Sequence, residues 1–434
     1  MIYQHSQHQP PHNSFPGSDD ITRVELSNGI VVLARPNYNS PSVVFTGYLH
    51  AGSLFDPQDQ LGLADFTASS LLLGTQQYDY ATIYDKLESA AASLNFEGGA
   101  HVTSFGGRCL AEDFEMLCTL FTSALRFPIF PADHVERKRS QIITGLILRS
   151  QDTSEMASLT LDEIIYANHP YRYPSEGYIE TVQNISLESL NAFHKKNYGP
   201  RGMVIVVVGA IEPQKAVEMI AQHLGDWENP QQPSPAELPP VTPLTALTRQ
   251  DVHISGKSQA DIMLGTIGPL RKSPDYMAAA LGNSILGQFG MMGRIGDIVR
   301  EKEGLAYYAF SSLSAGIGPG SWTFSAGVAP HNVEKAIHLI QQEIRRFVTE
   351  KVTTEELQDS QANFIGRLPL SLESNLGVAF AIRNLEKFDL GLDYYRIYAD
   401  LVRAVTVDQV LETAQRYLDP DRLAVAVAGS LDQS

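Results

Sequence analysis

The chain has 434 residues, 43% hydrophobic, 9% aromatic and 19% charged, which suits large folded domains and excludes disorder, collagen and a disulfide scaffold. Lys+Arg 32 against Asp+Glu 49 leaves a net charge of −17, a field that repels phosphate and anionic lipid, so neither nucleic acid nor membrane is an expected partner. Two cysteines, Cys109 and Cys118, are too few for a thiolate cluster; they read as buried thiols and suit a reducing compartment.

Residues 1–20 are polar, with no apolar core of signal-peptide length and no arginine, so they read as a flexible tail and neither secretion nor a transit peptide is expected. VELSNGIVVLARP predicts a hairpin turning at Asn28-Gly29, followed by a strand over 43–50. Apolar spacing predicts helices over 61–73 and 79–94, a strand over 101–110, and further helices up to Leu224. Residues 226–245 hold six of the 24 prolines, a composition that favours extended backbone and marks a linker. Beyond it, strands start near Asp251 and Ala260, a helix covers 274–286, and a short glycine-rich loop leads into a helix ending at Lys302. Strands then start at Leu305 and Ser321, and helices fill most of the chain to Tyr417. No apolar run reaches the roughly 18 residues of a membrane helix, and a cytoplasmic protein is expected.

A repeat crosses the linker. ISLESLNAFHKKNYGPRGMVIVVVGAI, from Ile185, aligns without gaps at an offset of 220 with VTVDQVLETAQRYLDPDRLAVAVAGSL, from Val405. Ser186 and Thr406 are placed to cap a helix, Pro200 and Pro420 follow it, and Gly209 and Gly429 close a β-rich run. The fold class is therefore α+β: homologous domains over 21–225 and 246–434, each a mostly antiparallel sheet packed with helices, joined by the linker.

Several familiar motifs fail. Gly256-Lys257-Ser258 suggests a phosphate loop, but Asp251 stands where that motif needs its first glycine. No G-x-S-x-G occurs, and the only histidines four apart, His8 and His12, are separated by Pro10 and Pro11, which forbid a helix.

The segment GSLFDPQDQLGLADFTASSLLLGT, Gly52 to Thr75, resembles the best-known stretch of the inverzincin family, which includes pitrilysin, insulysin and the mitochondrial processing peptidase. In that family the helix carries H-x-x-E-H, two zinc-binding histidines and a general-base glutamate. The five positions here are Asp65, Phe66, Thr67, Ala68 and Ser69, and the position of the third ligand, a glutamate on a later helix, falls on Gly145 or Thr144. SLNFEGGAHVTSF (from Ser93), LRFPIFPADHVERKR (from Leu125), NYGPRGMVIVVVG (from Asn197) and MGRIGDIVREKEGLAYYAFSS (from Met292) extend the likeness over most of residues 21–431.

The resemblance implies no metal in this chain. It also implies that Arg300 and Tyr307 match the arginine and tyrosine, seven residues apart, which the family's second domain sends towards the substrate. Gly304 is placed as the C′ residue between the helix bearing Arg300 and the strand bearing Tyr307. Both side chains are donors at neutral pH, suited to a scissile carbonyl and its oxyanion. By the same resemblance the strand over 101–105 is an edge strand that pairs with substrate, which makes Gly99, His101 and Thr103 candidate binding residues. Gly290, Met291 and Gly293 of the glycine-rich loop are further candidates, since its glycines serve either close backbone approach to a ligand or a tight turn and helix entry. The implied function is an essential zinc-free subunit of a heterodimeric zinc endopeptidase, inactive alone, paired with a homologous H-x-x-E-H subunit that holds the zinc and acting on short unfolded peptides. The alternative is a catalytically inert scaffold subunit of a larger complex.

Overall fold

The computed structural model describes residues 15–431, with only the backbone described at 289–292. The first half runs β1 (Thr22–Glu25), β2 (Val31–Pro36), β3 (Ser42–Leu49), α1 (Leu63–Ser70), α2 (Tyr80–Ser89), β4 (Ser93–Gly98) and β5 (Thr103–Leu110). Then come α3 (Phe114–Arg126), α4 (Ala132–Arg149), α5 (Thr153–Ile165), α6 (Ile179–Asn184), α7 (Leu187–Asn197), β6 (Val204–Gly209) and α8 (Pro213–Leu224). The second half opens with β7 (Thr248–His253), β8 (Ala260–Ile267), α9 (Tyr276–Gly287), α10 (Phe289–Gly296), a π-helical turn (Asp297–Lys302), β9 (Ala306–Leu313) and β10 (Ser321–Val328). It closes with α11 (Val333–Thr349), α12 (Thr354–Ser371), α13 (Asn375–Lys387), α14 (Tyr394–Arg403), α15 (Val407–Tyr417) and β11 (Ala424–Gly429).

The strands form two sheets, ordered β1-β2-β6-β3-β5-β4 and β7-β11-β8-β10-β9. Among the described residues only β2–β6 and β7–β11 pair in parallel. The Asn28-Gly29 turn forms as expected: Gly29 sits at φ +88°, a conformation that favours glycine, and the Leu26 amide donates to the Ile30 carbonyl at 2.8 Å. The repeat is also visible. Helices α7 and α15 span equivalent residues 220 apart, capped by Ser186 and Thr406, whose hydroxyls accept the amides of Ser189 (3.1 Å) and Gln409 (3.2 Å).

Strands β6 and β11, VIVVVG and AVAVAG, are buried along their whole length, which explains their unbroken apolar runs: both faces of each sheet are covered. One face packs on helices of its own half, with Phe45, Phe105, Phe114 and Phe121 among the core of the first. The other face is covered by a helix from the opposite half. Val378, Ala379, Ile382 and Leu385 of α13 lie on Leu33, Val44, Val204 and Val206 of the first sheet, while Leu161, Ile164 and Ile165 of α5 lie on Ala424 and Ala426 of the second. Burying an aliphatic side chain of this kind contributes about 1.5 to 3 kcal/mol, so each covering helix is a substantial share of the molecule's stability.

Four expectations need correction. The helix expected over 79–94 stops at Ser89; Ala91 turns the chain at φ +46°, and β4 begins at Ser93. The strand over 101–105 is not an edge, because β5 starts at Thr103 and lies between β3 and β4, leaving β4 at the edge. The glycine-rich loop is instead the short helix α10. Residues 15–20, expected as part of a flexible tail, are pinned to α14: the Ser18 amide and hydroxyl donate to Asp393 at 2.9 and 3.0 Å, and Arg396 pairs with Asp19. The rest of that tail lies outside the described residues.

Candidate functional site

In α1, the helix resembling the family's zinc helix, Phe66, Thr67 and Ala68 are buried, and the Thr67 hydroxyl donates back to the Leu63 carbonyl at 2.7 Å. Asp65 and Ser69 are one turn apart on a half-buried face. The helix packs so closely on the end of β4 that a Cβ at Gly98 would stand 2.4 Å from the Asp65 Cα. Burial, and the neighbouring Glu176, push the Asp65 carboxyl up to about 6. On α4, Thr144 donates to the Ser140 carbonyl at 2.8 Å and Gly145 faces open space. Zinc sites need at least three fixed nitrogen, sulfur or oxygen ligands, and one carboxylate beside a serine does not fit. Among the described residues no three His, Cys, Asp or Glu side chains come together to hold a metal.

Arg300 and Tyr307 each sit on a local irregularity. Arg300 lies in the π-helical turn, which closes with the Leu305 amide on the Val299 carbonyl (3.0 Å) and the Gly304 amide on the Arg300 carbonyl (3.1 Å). Gly304 takes φ +62°, the left-handed C′ geometry expected from its position. The Arg300 guanidinium is a third exposed and faces the Glu301 carboxylate at 3.6 Å, longer than a hydrogen bond. Tyr307 is the extra residue of a β-bulge: Ala306 pairs with Val328 and Tyr308 with Gly327, so two steps on β9 match one on β10. The residue is 82% exposed, on an edge strand, with no bonded side-chain partner among the described residues. By contrast the adjacent Tyr308 hydroxyl is bonded to Asp261.

The other candidates are scattered. Thr103 is fully buried, donating to the Ala51 carbonyl at 2.7 Å and lying 3.1 Å from the Tyr198 hydroxyl. Gly99 and His101 form the β4–β5 turn, where the Gly99 carbonyl accepts the Ser53 amide and the His101 ring is bonded to the Tyr171 hydroxyl. Burial, and next the Lys387 charge, hold the His101 imidazole down at about 4. Gly290 and Met291 lie in α10, their side chains outside the described residues. Gly293, at φ +66°, packs against Gly287, whose amide nitrogen a Cβ would approach to 2.6 Å, so its role is close packing. Ser93, Asn95 and Glu97 of β4 are exposed at the sheet edge, and their period-two alternation with Leu94 and Phe96 was the available signal for this strand.

Residues 31–177 match the family description Insulinase (Peptidase family M16), and residues 184–364 match Peptidase M16 inactive domain. The chain belongs to peptidase family M16. A crystal structure of a peptidase M16 inactive domain from Pseudomonas fluorescens superposes with a TM-score of 0.86 at 26% identity, covering 94% of this chain and 98% of that one. The non-peptidase homologue YmxG of Helicobacter pylori is 22% identical over 94% of both chains. The mitochondrial-processing peptidase subunit beta of Saccharomyces cerevisiae is 23% identical over 82% of this chain and 79% of its own length. This is thus an M16 peptidase-like chain of two family domains, whose α1 lacks the zinc-binding and water-activating residues. Among the described residues no helix is long and apolar enough to cross a membrane.

Proposed function

We propose that this chain is the zinc-free subunit of a heterodimeric M16 peptidase, presenting Arg300 and Tyr307 to a substrate held at the H-x-x-E-H helix of a homologous partner. The observation that carries the reading is the setting of Tyr307, a large aromatic side chain almost fully in solvent, turned out by a bulge on an edge strand. Bulges and π-turns are often functional features, and Arg300 and Tyr307 occupy one of each. Supplied across a subunit interface, the Tyr307 O–H and the Arg300 N–H groups would donate to the carbonyl oxygen of a peptide as negative charge develops on it; activation of water is left to the partner. The edge of β4 is where an extended peptide would add as a strand. The two buried free thiols suit a reducing compartment such as the cytoplasm.

Co-expression with an H-x-x-E-H homologue, size-exclusion chromatography and a fluorogenic peptide assay test this. The pair should co-elute and cleave, and Tyr307→Phe or Arg300→Ala should lower kcat by roughly 10²- to 10³-fold without disturbing assembly or the partner's zinc content. The double variant should lose less than the product of the two, because both donors act on one oxyanion. An undiminished rate in an intact double-variant complex would leave the chain as a scaffold.

A further inference from the structure

A cavity of about 540 Å³ lies between the two halves, within the range that holds small-molecule ligands. The β4–β5 turn and α5 wall it on one side, the β9–β10 turn and the end of α13 on the other. It is not the region of Arg300 and Tyr307: Ser314, where the β9–β10 turn enters the cavity, is seven residues beyond Tyr307, about 23 Å along an extended strand. The walls are tied together across the halves. The Tyr166 hydroxyl donates to the Pro319 carbonyl at 2.9 Å, and Tyr171, bonded to His101, stands so close to Gly318 that a Cβ there would overlap its hydroxyl.

Two ionisable groups in this wall are left without a partner of opposite charge. Lys387, the last residue of α13, is half-buried, and no carboxylate lies within ion-pair distance of it among the described residues; its Nζ stands 5.5 Å from the Phe388 ring centroid. Its titratable neighbours Arg383, His50 and His101 bring no negative charge. Asp162 of α5, in the opposite half, has no bonded or ionic side-chain partner among the described residues, and burial alone pushes its carboxyl up to about 7. The remaining charged groups are engaged: Asp56 accepts the amides of Gly62 and Ala64 at 2.9 Å, Glu176 faces Arg149 at 3.4 Å, and Arg172 donates to the Ala167 carbonyl and lies over the Tyr173 ring. A buried charge without a partner is costly, and a ligand carrying both signs would relieve the two costs together. A simple anion would be repelled by ionised Asp162, and a simple cation by Lys387.

We propose that this cavity binds a short peptide with free ends, its terminal carboxylate on Lys387 and its terminal ammonium on Asp162. Both contacts belong to one chain, so binding requires no partner subunit and the test is independent of the heterodimer. Calorimetric titration of the full chain with trialanine, N-acetyl-trialanine and trialanine amide decides it. Free trialanine should bind saturably, and either block should weaken it about ten-fold or more. In Lys387→Met the amide should bind as well as the free acid, and in Asp162→Asn the acetylated peptide as well as the free amine. Absence of saturable binding of trialanine, indifference to either block, or unchanged discrimination in the two variants would each overturn the proposal. The blocked peptides test the unaltered protein, so the proposal stays open to refutation even if a variant fails to fold.

Discussion

Thr103 and Tyr307 both carry a hydroxyl, and their surroundings set opposite expectations for its removal. Thr103→Val would leave the Ala51 carbonyl and the Tyr198 hydroxyl short of a partner in a dry core, which costs about 1 to 3 kcal/mol and is measurable by urea denaturation. Tyr307→Phe removes a solvent-facing hydroxyl with no bonded partner among the described residues, so its stability should stay within about 0.5 kcal/mol of the unaltered chain. Asp162 adds a pH dependence. An ordinary carboxylate releases its proton near pH 4, whereas this one holds it to about 7 in the folded state, so the folded form binds the extra proton between those values and loses stability as pH rises through them. Asp162→Asn should therefore gain in Tm over the unaltered chain as pH rises from 5 to 8; a constant difference would show that Asp162 titrates normally. At this scale the helix ending at Gly304 was legible because helix endings are written along the chain, and family likeness singled out Arg300 and Tyr307 as candidates. The bulge that turns Tyr307 outward was not, because it is defined by the register of a second strand.

The elements that propensity misread share one cause. The run Glu88-Ser89-Ala90-Ala91-Ala92-Ser93 is rich in good helix formers and carries the helical reading past the true end of α2, while the six-residue alternation of β4 is short beside it. Tertiary pairing with β5 wins, since Ser93 to Gly98 gain a full antiparallel ladder there. Where the signal is a cap, sequence and structure agree. Ser186→Ala and Thr406→Ala each remove a hydroxyl that accepts a first-turn amide, and each should cost about 1 kcal/mol. Equal losses in thermal denaturation are expected from the equivalence of α7 and α15; a large disparity would mean that the two copies no longer share an energetic role.

For the whole molecule, the 220-residue repeat was readable along the chain, but the exchange of covering helices was not, since no local pattern says which sheet an amphipathic helix will meet. We take residues 226–245 as the boundary between the halves. They are no free tether: Gln232 is buried, exchanging hydrogen bonds of 3.0 Å with the backbone of Arg201. Residues 1–225 expressed alone would bare the face of Leu33, Val44 and Val206, and residues 246–434 alone would bare Ala424 and Ala426. Each fragment should be insoluble or molten by circular dichroism, and the two co-expressed should recover a folded complex with one cooperative transition; two independent, stable fragments would contradict the exchange. Ile382→Ala, fully buried on α13, should lower that single transition by about 2 to 5 kcal/mol.

The exchanged helices also have a mechanical consequence. The halves cannot swing apart without stripping apolar side chains from both sheets at once, so the described residues behave as one stiff body. In the two-subunit assembly proposed above, the mouth that admits a peptide would be set where the two chains meet. Given the net charge of −17, the width of that mouth should respond to ionic strength, which acts between the two chains, more than to anything lodged inside one of them.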